Sequence, residues 1–261
     1  MESVSTLIGQ MEKAETSHEV WQLLLDYITE RGFKAASYGY GYMSPRSTVE
    51  EVETGDTVSL KAALSGRTWI TTLPKEAVQE YLARNYQNIH PMLHQIETHS
   101  MQPLYMAREI LDPNDPNYAD YDHLLARAAH YGIRSAIGFP LYHPLSRSHG
   151  EVSFHCAEPI DRLREIMAEY GNQVHLAALY MHTFYQPLER RERAAKVGIK
   201  GRPLEVLEQL YAGYTNSQIA DRMGVSAPTV SFHIKELREA LAVSSTREIL
   251  PMALRLGLLH E

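Results

Sequence analysis

Cysteine is almost missing from this chain: Cys156 is the only one in 261 residues. That excludes an internal disulfide and fits a reducing compartment, so the cytoplasm is the expected location. No apolar run approaches the roughly 20 residues that cross a bilayer as a helix, so no membrane role is expected. The opening residues MESVSTLIGQ have neither a basic stretch nor a following apolar core, and no secretory signal is visible. Basic excess is missing too. The net charge is −7, with 25 Lys and Arg against 32 Asp and Glu, which excludes a generally basic coat for nucleic acid. No glycine-rich phosphate loop, nucleophile elbow or acid pair in a supporting context is visible. The chain is therefore expected not to be an enzyme, with no catalytic residue and no cofactor.

What is present is a globular composition, 44% hydrophobic and 22% charged, long enough for two ordinary domains. Charge is unevenly divided. Residues 196–261 hold eight Lys or Arg against seven Asp or Glu, and residues 1–195 hold 17 against 25. A near-neutral tail on an acidic body permits DNA binding without arguing for it.

The front mixes helix and strand signals. Thr16-Ser-His-Glu19 has the form of a capping box, and Trp21, Leu24, Leu25 and Ile28 recur behind it at helical spacing. FKAASYGYGYM then switches to period two, with Tyr38, Tyr40 and Tyr42 on one face, and predicts a strand. RTWITTL predicts another. Pro74 opens a helix bearing Val78, Tyr81, Leu82 and Tyr86, and a further helix is predicted over 121–131. IRSAIGFPLY and GEVSFHC read as paired strands. Apolar residues at 160, 163, 167, 170, 174, 177, 181 and 184 predict a long amphipathic helix. The charged stretch after it, poor in large apolar residues, reads as a linker. The expected organisation is a front domain over 1–187, a linker over 188–202 and an all-helical domain over 203–261.

In the last domain Leu204, Leu207 and Leu210 make one apolar face. Thr215 is placed to cap a second helix with Ile219, Ala220 and Met223 inward, and Gly224 suits the tight turn that follows. Ser226 and Pro228 suit the start of a third helix, whose buried stripe is Val230, Ile234, Leu237 and Leu241. Thr229, Ser231, Phe232, Lys235 and Arg238 are left over: short hydroxyls, a flat ring and two cations. Such a helix can enter a major groove, while Asn216, Ser217 and Gln218 at the preceding helix start suit a phosphate. A solvated face on a small helical bundle is the alternative.

The string LEVLEQLYAGYTNSQIADRMGVSAPTVSFHIKELREALAV resembles the LuxR-type helix–turn–helix, matching at Leu207, Gly213, Ile219, Ala220, Val225, Ser226, Thr229, Val230 and His233. It departs from that pattern at Pro203, Ala240 and Thr246. Most of residues 15–185 resembles the autoinducer-binding domain of LuxR-type quorum-sensing regulators, through LPKEAVQEYLARNYQNIHP, RAAHYGIRSAIGFPLY and GEVSFHC. The resemblance implies an α+β ligand-binding domain, an antiparallel sheet between helices, joined to an all-α helix–turn–helix domain. It further implies an acyl-homoserine lactone, a dimerising helix, a homodimer on an inverted-repeat operator in double-stranded DNA, and RNA polymerase as a further candidate partner.

The pocket positions depart from the family pattern. Leu73, Ala77 and His90 stand where the family has Tyr, Trp and Asp, Tyr81 is kept, and Tyr105 and Ala136 replace a Trp and a Gly. An indole N–H is a donor and a carboxylate an acceptor, so the losses at Ala77 and His90 remove partners for a lactone carbonyl and an amide N–H. Each lost buried partner costs about 1–3 kcal/mol. The expectation is a small-molecule signal other than an ordinary lactone, with Tyr38, Tyr40, Leu73, Ala77, Tyr81, His90, Tyr105, Ala136 and Ser153 as the candidate ligand set. Two other readings stand beside it: a regulator whose pocket is filled by its own side chains, and a metal-dependent enzyme using His143, His149, His155 and Cys156. The spacing of that last group lacks the short paired-ligand pattern of a zinc site.

Overall fold

The computed structural model describes residues 1–41, 49–54, 57–62, 68–86, 89–91, 101–142 and 149–259. Its front half is a seven-stranded antiparallel sheet in the order β2-β3-β4-β1-β7-β6-β5. The strands are β1 (Ala35–Gly41), β2 (Val49–Thr54), β3 (Thr57–Ala62), β4 (Thr68–Thr71), β5 (Leu104–Ala107), β6 (Ser135–Tyr142) and β7 (His149–Cys156). β1, β4, β6 and β7 fall where strands are expected from the sequence. The β2–β3 hairpin and β5 lie in segments for which no strand is expected, although TVSLKA alternates.

One face of the sheet is covered by α1 (Val4–Met11), α2 (Ser17–Thr29) and α5 (Ile160–Lys196). The Thr16 hydroxyl and the Glu19 carboxylate close the expected capping box on α2. Between these helices and the sheet lies the main core, with Trp21, Leu24, Phe139, Phe154, Leu163 and Met181 among its members. Gly150 marks the closest approach within it. A Cβ there would stand 2.5 Å from the Tyr40 ring and 2.6 Å from the Gly39 carbonyl oxygen.

The other face carries α3 (Lys75–Ala83) and α4 (Tyr118–His130). α3 seats Val78 against Trp69, Leu73 and Leu82. Under α4, Leu125 packs with Leu104, Met106 and Ala136. Arg127 ties the two helices together by donating from Nε and Nη2 to the Glu80 carboxylate at 2.7 and 2.8 Å, and the Tyr131 hydroxyl donates to it at 3.1 Å.

α5 differs from its sequence expectation. It runs to Lys196 through Pro187 and through most of the stretch read as linker. Charge and scarcity of apolar residues suggest a linker there, yet Leu, Glu, Arg, Ala and Lys are strong helix formers. Glu189 and Arg193 pair one turn apart, and Ala194 is buried in the core of the last helices. Those helices are α6 (Arg202–Tyr211), α7 (Asn216–Met223), α8 (Ala227–Ala240) and α9 (Ile249–Arg255). Val206, Leu207, Ile219, Val230, Ile234 and Leu237 fill their shared core, joined by Ile199. Among the described residues no helix is long and apolar enough to cross a membrane.

Candidate functional site

Strand parity sorts the predicted ligand residues onto two faces. On β1, Ala36, Tyr38 and Tyr40 point into the main core, and Ser37 and Gly39 point toward α3 and α4. Tyr38 is fully buried: its hydroxyl meets His182 Nδ1 at 2.9 Å and accepts from Gln186 Nε2 at 3.0 Å, both on α5. Burial pushes its phenol well above the usual range. The Tyr40 ring lies 4.6 Å from the His182 ring. Tyr105 on β5 also packs on that core, while Leu104 and Met106 face α4. Tyr38, Tyr40 and Tyr105 are therefore core residues, not lining of the roofed face. The tyrosine alternation in GYGY marks a buried face, and the sequence did not say which helices bury it.

Leu73, Tyr81, His90, Ala136 and Ser153 do collect on the face under α3 and α4. Tyr81 stands 5.4 Å from the Trp69 ring, 5.9 Å from Tyr86 and 6.0 Å from His90, centroid to centroid. Trp69 thus brings an indole to this face from β4, which the sequence reading did not assign. Ala77 is half-buried on α3. The Tyr86 hydroxyl bonds His123 Nδ1 on α4 and helps close the roof.

Over β1 and β7 the floor is polar. Ser37 pairs with Ser153, Gly39 with Glu151, and Thr71 on β4 lies opposite Ser37. Ser37 Oγ is 2.7 Å from Thr71 Oγ1 and 2.9 Å from His155 Nε2. Thr71 Oγ1 also donates to the Ala36 carbonyl and accepts from the Leu73 amide. His155 is kept neutral: burial, reinforced by His90, pushes its imidazole down to about 3. Ser153 is 2% exposed, and its hydroxyl has no hydrogen-bond partner among the described residues. Glu151, two positions back on the same strand and the same face, has a buried and unpartnered Oε2. Alternation in GEVSFHC places 151, 153 and 155 together, so the signal for Glu151 was legible but unused.

His155 and Cys156 point to opposite faces, the thiol toward the Gly32 carbonyl at 3.7 Å. Among the described residues no group of three His, Cys, Asp or Glu could hold a metal ion. His143 and the side chain of His149 lie outside the described residues, as does Tyr42.

At the other end, the Thr215 hydroxyl and Gln218 form a capping box on α7, Gly224 takes φ +65°, and Ser226 caps α8. Asn216 and Ser217 are exposed at the α7 start, but the Gln218 side-chain oxygen accepts from Thr215 N and Oγ1. On α8, Ser231, Phe232 and Lys235 are exposed, Phe232 by 57%. Ser231 Oγ donates to the Ala227 carbonyl, and Lys235 Nζ lies 3.7 Å from Glu239. Thr229 is half-buried with its hydroxyl 2.8 Å from that of Ser226. Arg238 is half-buried, and its Nη2 donates to the Ser244 carbonyl at 2.6 Å in the turn after α8.

Comparisons agree with both halves. Residues 16–185 match the family model described as autoinducer binding domain, and residues 201–253 the model described as bacterial regulatory proteins, luxR family. A 55-residue stretch is 40% identical to the HTH-type transcriptional regulator MalT of Yersinia pestis and of Yersinia pseudotuberculosis. It is 21% of this chain and only 6% of that relative's length. Escherichia coli SdiA has a TM-score of 0.53 at 20% identity, covering 99% of this chain and 98% of that one. SdiA in complex with octanoyl-rac-glycerol gives 0.52 at 21%, covering 99% and 96%. The N-acylhomoserine lactone-dependent CepR2 from Burkholderia cenocepacia gives 0.52 at 14%, covering 71% and 94%. These structural likenesses establish the fold.

Proposed function

Because the chain belongs to the LuxR-type regulators that carry an autoinducer binding domain, we propose that it is a dimeric transcriptional regulator that binds double-stranded DNA in the cytoplasm under the control of a small-molecule signal. That signal is not an ordinary acyl-homoserine lactone. The carrying observation is the pairing, in one chain, of a roofed sheet face bearing an unpartnered buried hydroxyl at Ser153 with an exposed α8 presenting Ser231, Phe232 and Lys235. Hydroxyls and cations reach base edges and phosphates, and an apolar ring suits a thymine methyl. Ala77 and His90 support a ligand other than the lactone, since neither repeats the donor or the fixed acceptor that such a ligand meets.

Dimerisation is supported by α5, where Leu176 is 41% and Tyr180 38% exposed, and Tyr180 stacks on Phe184. Leu176 and Tyr180, at spacing four, lie outside the stripe that the sheet buries. A two-fold dimer calls for an inverted repeat with half-sites about one DNA turn apart. No catalytic role is proposed for any residue.

A second reading, a regulator whose cleft its own side chains fill, is favoured by the Trp69, Tyr81, Tyr86 and His90 cluster. Two measurements test the proposal. Selection of the full chain against random duplex DNA should enrich an inverted repeat, and enrichment of nothing would remove the DNA half. A native mass spectrum of protein from its own host should carry a stoichiometric small mass that leaves on denaturation. A clean apo dimer with a high melting temperature would favour the self-filled reading.

A further inference from the structure

Two small apolar clusters stand on the roofed face, and the polar floor lies between them. Val78, Trp69 and Leu73 sit at the β4 side, and Met106, Leu104 and Leu125 at the β5–β6 side. β1 and β7 run between those sides. Most floor groups satisfy one another: Ser37, Thr71 and His155 share hydrogen bonds. Two do not. Ser153 Oγ and Glu151 Oε2 are buried and have no partner among the described residues. They face the same side of one strand, about 7 Å apart along it. The floor around them is low: Gly39 and Pro140 flank Glu151, and Gly138 flanks Ser153.

The two orphans ask for different things. A hydroxyl donates or accepts, so Ser153 suits a carbonyl. A carboxylate only accepts, and leaving one buried without a donor is costly. An ester group, which only accepts, answers Ser153 but offers no donor to Glu151. Among the described residues, the nearby arginines of the roof are engaged elsewhere: Arg127 and Arg84 both pair with Glu80. Among the described residues no donor meets Glu151 Oε2, and a ligand can supply one.

We infer that Glu151 is a specificity-determining residue for a cationic nitrogenous signal, an amphiphile whose ammonium meets Glu151, whose carbonyl meets Ser153, and whose apolar part lies against one flanking cluster. The inference rests on the cleft reading above and narrows its ligand class. Glu151 also carries a cost in the ligand-free protein, as binding groups held without their partners do.

A matched pair of probes tests it: N-(2-aminoethyl)octanamide and N-(2-hydroxyethyl)octanamide, which differ only in the terminal group. Titration calorimetry on the full chain should give about ten- to a hundredfold tighter binding of the amine, the scale of one charge-assisted hydrogen bond. E151Q and E151A should bring the two probes to within about threefold of each other, a small difference on that scale. S153A should weaken both alike. Without ligand, E151Q should melt higher than the parent, which also shows that it folds. Equal or tighter binding of the hydroxyl probe, or a preference that survives E151Q, overturns the nitrogenous signal and leaves the cleft standing. Binding of neither probe to any variant overturns the cleft reading together with this inference.

Discussion

His182 shows how much one side chain can carry in this fold. Its Nδ1 meets the Tyr38 hydroxyl, its ring lies against Tyr40, and burial pushes it down to about 4. His155 on the opposite face is pushed down to about 3. The unfolded chain takes up protons at both near pH 6.5, and the folded chain resists until the pH is well below that. Their stabilising contribution is complete above about 6.5 and is lost as the pH falls through the window down to about 3. Urea midpoints should therefore drop across that window, and His182→Asn, which keeps a partner for Tyr38 without titrating, should flatten the drop. An unchanged slope in that variant would remove His182 from the account. At α8 the matching single-residue prediction concerns Lys235. Lys235→Ala should weaken DNA binding across all sequences and lower the salt slope by about one if the ammonium meets a phosphate. Altered preference at one base position would instead make it a reader of sequence.

Elements place these residues, and two of them carry predictions of their own. α3 is held to α4 by the fork of Arg127 on Glu80, and the Glu80 carboxyl is lowered to about 2, chiefly by the hydrogen bonds from Arg127. A depressed carboxyl contributes above its unfolded range, near 4.5, and loses that contribution as the pH falls toward about 2. The roof clamp thus persists at acidities that already weaken the histidines. Arg127→Ala should raise hydrogen exchange in α3 and α4 while leaving α6 to α9 as protected as before; loss of protection throughout would mean the clamp is not local. On α5, Leu176→Asp with Tyr180→Asp should convert a dimer to a monomer in sedimentation, without unfolding it, because both side chains lie outside the buried stripe. A dimer that survives both changes would put the interface elsewhere. The stripe itself was legible at 160, 163, 174, 177 and 181. Its partner was not: those residues are buried by the chain's own sheet and α2, and periodicity alone cannot distinguish that from burial by a second subunit.

Across the whole molecule, α5 reaches from one core to the other. Glu192 accepts from Ser17 N at 2.7 Å and from Ser17 Oγ at 2.6 Å, anchoring the start of α2. One residue on, Arg193 Nη1 donates to the Leu256 carbonyl behind α9. One continuous helix therefore contributes to both cores and connects the sheet to the last helices. Calorimetric unfolding should show one transition in the parent. Glu192→Ala with Arg193→Ala should separate it into two, and a transition that stays single would mean that other contacts couple the halves.

The sequence alone determined what local rules control. Capping at Thr16, Thr215 and Ser226, the left-handed turn at Gly224, the period of β1, β6 and β7 and the apolar faces of α7 and α8 all follow from neighbours within a few residues, and all were readable. The class of the last domain was readable for the same reason, since its motif is contiguous. Strand alternation also fixed which residues share a face, and so grouped Tyr38 with Tyr40 and Glu151 with Ser153. Only the tertiary structure decided which face meets α5 and which lies under α3 and α4, because a period of two carries no information about the helices above it. That choice puts Tyr38, Tyr40 and Tyr105 on the main core and Glu151 and Trp69 on the roofed face. It also extended α5 through the expected linker, where burial of Ala194 and the Ser17–Glu192 contact, between residues 175 positions apart, hold what composition alone left open.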